Sequence, residues 1–202
     1  MDAAEREALE LELRARFDAG DLPAVATAAI RGYGPELYGL LVGLARDDDA
    51  AGEIFAGVCE KLWKALPGFR WDASLRVWAY AITRHHFMHW TRDRDRQRRQ
   101  VPLSDVSQVS ELAAQVRTTT ALHLRTDVKD GFAKLRETLA PDDRMLLELR
   151  VEGQMAWQDI AQVLAGEEAA KPTAREVAAL RKRFERLKGE LRELARTHKL
   201  LP

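Results

Sequence analysis

Apolar residues recur at intervals of three and four along most of this 202-residue chain, and stretches with strand-like alternation are almost absent. Ala, Leu, Arg and Glu dominate. This pattern predicts an all-α protein, because an apolar stripe with a period near 3.6 follows one face of a helix. Helices are predicted over residues 2–18, 22–33, 35–46, 50–66, 74–98, 126–139, 142–151, 157–165 and 173–196.

One segment interrupts the helical pattern. Residues 100–121 are rich in Ser, Thr, Val and Gln and show only weak periodicity. Such a stretch between periodic segments is typical of a connection. The sequence therefore predicts two small helical domains, at 1–99 and 122–202, joined by a flexible linker at 100–121.

The composition limits the class of protein. With 46% hydrophobic and 32% charged positions, the chain can bury one moderate core or two small ones. The single cysteine, Cys59, excludes an internal disulfide, and no apolar run is long enough for a membrane span. The first residues lack the pattern of a secretory signal, so we expect a cytoplasmic protein without a membrane span.

The formal net charge is zero, but the charges are unevenly distributed. Residues 84–99 hold six arginines against two aspartates, and residues 171–199 hold ten Lys and Arg against four Glu. Residues 1–20 instead carry six acids and three bases. Two separate basic segments indicate two contact zones for a polyanion. The alternative for either segment is a helix face that is merely solvated.

The helix predicted over 74–98 carries aromatic residues on two faces. When it is wound at 100° per residue, Trp78 and Ile82 lie on one side, and Tyr80 and Phe87 lie nearly opposite. Rings flanked by arginines suit single-stranded nucleic acid, because bases stack on rings and guanidinium groups bind phosphates. The alternative is that Tyr80, Phe87 and Trp90 pack under the amino-terminal helices while the arginines are solvated.

Catalytic and metal-binding motifs are not evident. His85 and His89 are spaced as half of a zinc site, but no second ligand pair follows at a motif spacing. The chain also lacks a glycine-rich phosphate loop, a nucleophile elbow and a convincing pair of catalytic acids. We therefore predict no metal, no cofactor and no enzymatic activity.

The carboxy-terminal part has the pattern of a helix-turn-helix. The short helix "WQDIAQVLAG" is followed by a basic helix whose start is marked by a capping box of Thr173 and Glu176. A basic second helix of this kind enters the DNA major groove. The connection "GEEAAKPTA" is longer than the usual turn, and an ordinary solvated amphipathic helix is the alternative.

Four segments, in this order, resemble bacterial sigma factors of the extracytoplasmic-function (ECF) type. "YGPELYGLL" resembles the family's first helix, and "EIFAGVCEKLWKALPGF" resembles its core-polymerase-binding helix. "LRVWAYAITRHHFMHWTR" is similar to its promoter-melting helix. "LAPDDRMLLELRVEGQMAWQDIAQVLA" with "ALRKRFERLKGELR" is similar to its carboxy-terminal domain.

The resemblance implies an all-α transcription initiation factor with no catalytic group of its own. The amino domain would bind the clamp of core RNA polymerase and read the minus-ten promoter element as a single strand, and its loop at 67–74 would hold an extruded base. The carboxy domain would read the minus-thirty-five element as duplex, close to the polymerase flap. Implied partners are core RNA polymerase, promoter DNA, and an anti-sigma factor or other regulator.

The candidate site residues fall into three sets. The minus-ten set is Phe69, Arg70, Trp71, Asp72, Ser74, Arg76, Tyr80, Thr83, Arg84, Phe87, Trp90 and Arg94. The minus-thirty-five set is Arg175, Arg181, Lys182, Arg183, Arg186 and Lys188. The polymerase-binding set is Glu53, Ile54, Val58, Glu60, Lys61 and Trp63.

In two of its helices the chain departs from the family pattern. Where the clamp-binding helix usually carries Gln-Glu three residues after its acid, this chain has Ala56 and Gly57 after Glu53. Where the melting helix often carries Asn and Asp, it has His85 and His89. Two alternative functions stay open: a sigma-like interaction protein without initiation activity, and a dimeric repressor that binds duplex DNA through its helix-turn-helix.

Overall fold

In a computed structural model, the chain is described over residues 1–94, 107–124, 139–167 and 169–197, with side chains described over 1–92, 109–120, 139–167 and 169–197. Within those ranges it is all-α, as predicted, and contains no strand. The helices are α1 (Ala3–Asp18), α2 (Leu22–Ala45), α3 (Asp48–Ala65), α4 (Leu75–Arg94), α5 (Ser107–Leu124), α6 (Pro141–Val151), α7 (Trp157–Ala165) and α8 (Ala174–Thr197). The helix predicted over 126–139 lies almost wholly outside the described residues.

Helix α2 is the central element, and α1, α3, α4, α5 and α6 all pack against it. The sequence predicted two helices here, divided before Pro35, but α2 continues through that residue. Proline inside a helix costs about 3 kcal/mol because it removes a backbone hydrogen bond. Buried side chains on both sides of Pro35, among them Ile30, Tyr33, Leu37 and Leu41, hold the helix in one piece.

Helix α5 is formed by much of the segment that was predicted to be a flexible linker. Its residues Val109, Leu112, Ala113 and Val116 are buried against α2 and α3. A methyl group added at Gly34 of α2 would lie 3.0 Å from Val116, so the two helices approach closely there. Residues 107–121 of the predicted linker therefore belong to a helix rather than to a flexible connection, and residues 100–106 lie outside the described ones.

The carboxy-terminal helices pack onto the amino-terminal ones. Helix α6 contacts α2, and α7 contacts α4. One continuous cluster of buried apolar side chains includes residues of both predicted domains, such as Leu41, Val77, Leu146 and Ile160. Separate folding of the regions 1–99 and 122–202 stays a prediction.

The amino end of α4 is held by a carboxylate from α1. Glu10 accepts hydrogen bonds from the backbone amides of Leu75 (3.0 Å) and Arg76 (2.8 Å), which begin α4. Glu10 also accepts a 2.7 Å bond from the Tyr33 hydroxyl. A carboxylate is favourable here because a helix amino terminus has free N–H groups and a positive dipole end. Burial and the bond to Glu10 raise the pKa of Tyr33.

We expect Leu112→Ala to lower the free energy of unfolding by about 2 kcal/mol, because it empties a buried site between α5 and the central helices. Urea denaturation followed by circular dichroism measures the effect. Glu111→Ala is the matched control, since Glu111 is exposed on the same helix. Equal stabilities of the two variants would show that α5 does not pack on α2 and α3.

We expect Glu10→Ala to lower the free energy of unfolding by on the order of 2 kcal/mol, because two backbone amides and a buried hydroxyl lose a charged acceptor. Thermal unfolding compares this variant with Glu7→Ala, which removes an exposed acid from the same helix. Glu10→Gln should restore part of the loss, since one amide oxygen still accepts. A Glu10→Ala variant as stable as Glu7→Ala would contradict the capping role.

Candidate nucleic-acid interface

The loop before α4 turns its aromatic side chains inward. Phe69 is buried and stacks on Trp78 with ring centroids 4.6 Å apart. Trp71 has a positive φ of 60°, which is strained for a residue with a large side chain, and its ring contacts Phe17 of α1 at 5.6 Å. The guanidinium group of Arg14 lies 5.0 Å from the Trp71 ring centre. Both loop rings predicted to hold an extruded base are thus engaged within the protein.

The polar residues of the same loop remain accessible. Arg70, Asp72 and Ser74 are exposed, and Arg70 Nε lies 3.0 Å from a carboxylate oxygen of Asp72. Beside them lies an open cleft of about 550 Å³. One wall includes Phe69, Val77, Trp78 and Ala81. The other side is lined by Gln162 of α7 and by Gly166, Glu167 and Ala169 of the connection after it.

The predicted nucleic-acid face of α4 is largely covered. Arg76, Tyr80, Thr83 and Phe87 are each at most 8% exposed. The hydroxyl of Tyr80 donates to Glu36 (3.2 Å), and that of Thr83 donates to the Ala79 carbonyl (2.8 Å). The expectation of an exposed second aromatic face is wrong for this conformation, because α2, α3 and α7 all pack around α4.

The remaining members of the α4 set are more accessible or lie outside the described side chains. Trp90 is partly buried and stacks near Phe87, with ring centroids 6.3 Å apart. Arg84 is also partly buried. The side chain of Arg94 lies outside the described part. DNA contact by this set stays a prediction.

Two arginines of α4, Arg76 and Arg84, are paired within the protein. Arg76 forms an ion pair with Glu36 (2.8 Å) and donates to the carbonyl of Gly153 (3.0 Å) in the turn between α6 and α7. Arg84 pairs with Asp142 of α6 at 2.8 Å. The alternative interpretation was therefore right about the packing of Tyr80 and Phe87, but Arg76 and Arg84 are paired rather than solvated, while Arg92 is exposed.

Sequence analysis missed the partners of these arginines. Glu36, Asp142 and Gly153 carry no local signal of their roles, because each meets its arginine only after the helices pack. Gly153 has a local reason to be glycine: an added side chain would lie 2.9 Å from the Leu149 carbonyl oxygen. Burial raises the pKa of Asp159 on α7, while nearby Arg76 acts to lower it.

The polymerase-binding set on α3 is divided between surface and core. Glu53 and Lys61 are exposed, and Glu60 and Trp63 are partly exposed. Glu60 pairs with Lys64. In contrast, Ile54 is 4% exposed and Val58 is fully buried, so in this conformation both support the helix from within.

Gly57 of α3 lies close to α4. A methyl group added at Gly57 would lie 3.2 Å from the ring of His86 on α4, which leaves no room for a longer side chain without a shift. Burial, then the nearby charges of His85 and Lys61, lower the pKa of His86 to about 4. His86 is therefore neutral at pH 7, and its uncharged ring packs beside Gly57 of α3.

His85 and His89 are exposed on α4. Within the described ranges, no group of three or more His, Cys, Asp and Glu side chains is placed to hold a metal ion. Cys59 is buried, and burial raises the pKa of its thiol to about 12.

Helices α6, α7 and α8 form a compact three-helix unit around apolar contacts. Trp157 packs edge-on against Phe184 at 5.3 Å, and Val177, Leu180 and Leu187 are buried on the inner side of α8. The predicted capping box is present, since the Thr173 amide donates to Glu176 (2.7 Å) and the Glu176 amide donates back (3.3 Å).

The long connection between α7 and α8 is tied to α7. The side-chain amide of Gln158 donates to the Pro172 carbonyl (2.9 Å), and that of Gln162 donates to the Ala169 carbonyl (3.0 Å). The extra residues therefore run back along α7, which leaves the start of α8 exposed.

The outward face of α8 is basic. Arg183 pairs with Asp143 of α6 (2.7 Å), and Lys188 pairs with Glu185 (2.9 Å). The four other members of the minus-thirty-five set are exposed: Arg175, Arg181, Lys182 and Arg186. Arg186 Nε lies 3.8 Å from Glu190 Oε1, which is a long ion pair at the surface. This face can bind phosphates without any rearrangement of the helix.

Comparison with known proteins identifies part of this architecture. Residues 29–97 match the family model described as Sigma-70 region 2, which is about a third of the chain and covers most of α2, all of α3 and all of α4. No curated protein matches the chain. No helix within the described residues is long and apolar enough to cross a bilayer. The chain contains a Sigma-70 region 2 domain, which supports a sigma-factor role in RNA polymerase binding and promoter melting.

Proposed function

We propose that the chain is a sigma factor of the ECF type, which binds core RNA polymerase and directs it to promoters with two elements. The region 2 match carries this proposal, because it spans, in order, the segments that resemble the family's first, polymerase-binding and promoter-melting helices. The chain would supply no catalytic group and would act in the cytoplasm, where the polymerase works.

The polymerase clamp is the proposed partner of α3. Glu53 and Lys61 offer exposed charges on one side of that helix, and Trp63 adds a partly exposed ring. Interfaces commonly combine an aromatic anchor with charged residues at its rim. Ala56 and Gly57, both partly buried, stand where the family usually has two polar side chains.

The minus-ten element is the proposed ligand of α4 and the loop before it. Arg70, Asp72 and Ser74 are accessible for polar contacts with an extruded base, and Trp90 offers a partly exposed ring for stacking. The minus-thirty-five element is the proposed ligand of α8, whose exposed cations suit the backbone and base edges of the major groove.

An anti-sigma factor or other regulator is a further proposed partner. The surfaces proposed for polymerase and DNA lie on different helices, so one inhibitor would have to cover more than one of them.

Run-off transcription with purified core polymerase tests the proposal. We expect the full chain to produce specific transcripts from a library of genomic promoters, and sequencing of those transcripts would give both promoter elements. Polymerase binding without transcripts would favour a sigma-like interaction protein. Duplex binding without polymerase binding would favour a repressor.

We expect Arg181→Ala combined with Lys182→Ala to weaken binding to minus-thirty-five duplex and to reduce the salt slope of the affinity by up to about 2, since each lost phosphate contact removes about one unit. Fluorescence anisotropy over a salt series measures both quantities. Arg196→Ala is the control, because Arg196 lies near the far end of α8 and pairs with Glu193. An unchanged slope would remove these two residues from the DNA interface.

A further inference from the structure

Helix α1 lies outside the residues matched to Sigma-70 region 2, yet one of its faces contacts the loop that precedes α4. Glu10, Arg14 and Phe17 are spaced by four and three residues, so they lie on the same side of the helix. Glu10 binds the first amides of α4, and the other two residues contact Trp71 of the loop. The helix is itself fixed in place, because Leu13 is fully buried.

Trp71 is enclosed by three neighbouring side chains. Its ring centre lies 5.6 Å from that of Phe17 and 5.0 Å from that of Phe69, and the guanidinium group of Arg14 lies 5.0 Å from it. The ring of Phe17 also contacts that of Phe69 at 6.4 Å. The indole nitrogen of Trp71 is buried and has no hydrogen-bond partner among the described residues. The inward position of this side chain therefore depends on its ring contacts, two of which come from α1.

The backbone at Trp71 is left-handed, with a φ of 60°. This conformation is rare for a bulky residue and persists only where the surrounding contacts determine it, often at a functional site. The side chains on either side of Trp71 remain in solvent. Those of Arg70 and Asp72 are 74% and 68% exposed, and their Nε and Oδ2 atoms lie 3.0 Å apart. An inward Trp71 is thus flanked by an outward pair that offers hydrogen-bond donors and acceptors side by side.

We propose that Arg14 and Phe17 of α1 are positioning residues for this loop. By holding Trp71 inward, they present Arg70 and Asp72 to one base of the minus-ten strand. This role rests on the proposed function, because single-stranded promoter DNA is taken as the ligand of the loop. A guanidinium group can donate to the edge of guanine, and a carboxylate can accept from the exocyclic amine of cytosine, so the placement of the pair affects which base is preferred. A backbone that is set before binding also loses less freedom when the base arrives.

Fluorine NMR of the full chain tests whether α1 holds the loop, without polymerase or DNA. Growth on 5-fluorotryptophan labels all five tryptophans, and the signal that is lost in Trp71→Phe belongs to Trp71. We expect Arg14→Ala and Phe17→Leu each to move this signal toward the frequency of free 5-fluorotryptophan. Arg16→Ala is the matched control, because Arg16 is a similarly exposed arginine of α1 that pairs with Glu12. A Trp71 signal that stays in place in both variants would overturn the proposal.

Base selection tests whether the held loop reads DNA. The full chain, bound to purified core polymerase, captures oligonucleotides from a single-stranded pool of random sequence, and the captured molecules are sequenced. We expect one position at which Asp72→Asn changes the preferred base. At that same position, Arg14→Ala should lower the preference about two- to fivefold, the scale of one partly exposed cation–π contact. Arg14→Lys, which keeps the cation, should restore part of the preference, and Arg16→Ala should leave it unchanged.

The two measurements separate the role of α1 from the proposed function. A moved Trp71 signal with an equal loss of preference at every selected position would show that α1 only supports the fold, and would overturn the positioning role. No preferred base for the unaltered chain would contradict single-strand reading, and with it the base-reading part of this proposal, whatever the fluorine signal shows. Unmoved signals and normal base selection in Arg14→Ala and Phe17→Leu would overturn the role of α1 and leave the proposed function standing.

Discussion

The environment of Arg76 ties together four parts of the structure. Its backbone amide is capped by Glu10 of α1, and its guanidinium group pairs with Glu36 of α2 and reaches the Gly153 carbonyl between α6 and α7. A charge this far from water is tolerated only when it is paired and hydrogen-bonded, and loss of one partner of such a pair costs about 3–5 kcal/mol. Arg76 therefore links the start of α4 to α1, to α2 and to the turn between α6 and α7, beside the Arg84–Asp142 pair and the apolar packing of these helices.

Local signals in the sequence predicted several elements well. Helix α7 has the predicted limits of 157–165, and the capping box at Thr173 and Glu176 is present, because both depend on residues within one or two turns. The all-α class followed from the same short-range periodicity. The match to Sigma-70 region 2 confirms the resemblance to sigma factors over residues 29–97.

Elements whose state depends on distant partners were predicted poorly. Pro35 was expected to begin a second helix, yet α2 runs through it, with buried neighbours on both sides. The weak periodicity of residues 107–124 concealed a helix, because an α5 rich in Ser, Thr and Ala acquires its buried side only against α2 and α3. The two aromatic faces of α4 follow from residue spacing, but spacing cannot show that neighbouring helices bury residues of both faces.

The docking of α7 on α4 has a consequence for the choice of DNA sites. Packing links the two proposed DNA-reading surfaces, since α8 packs on α7 and α7 packs on α4. Any free energy needed to separate α7 from α4 lowers the affinity of the chain for a site that offers only the minus-ten element. A promoter with both elements holds the carboxy-terminal unit on duplex DNA, so that the second contact benefits from a high effective concentration. The fold would then act as a coincidence detector, which ignores the many isolated half-matches of a genome and responds to pairs at a fixed spacing.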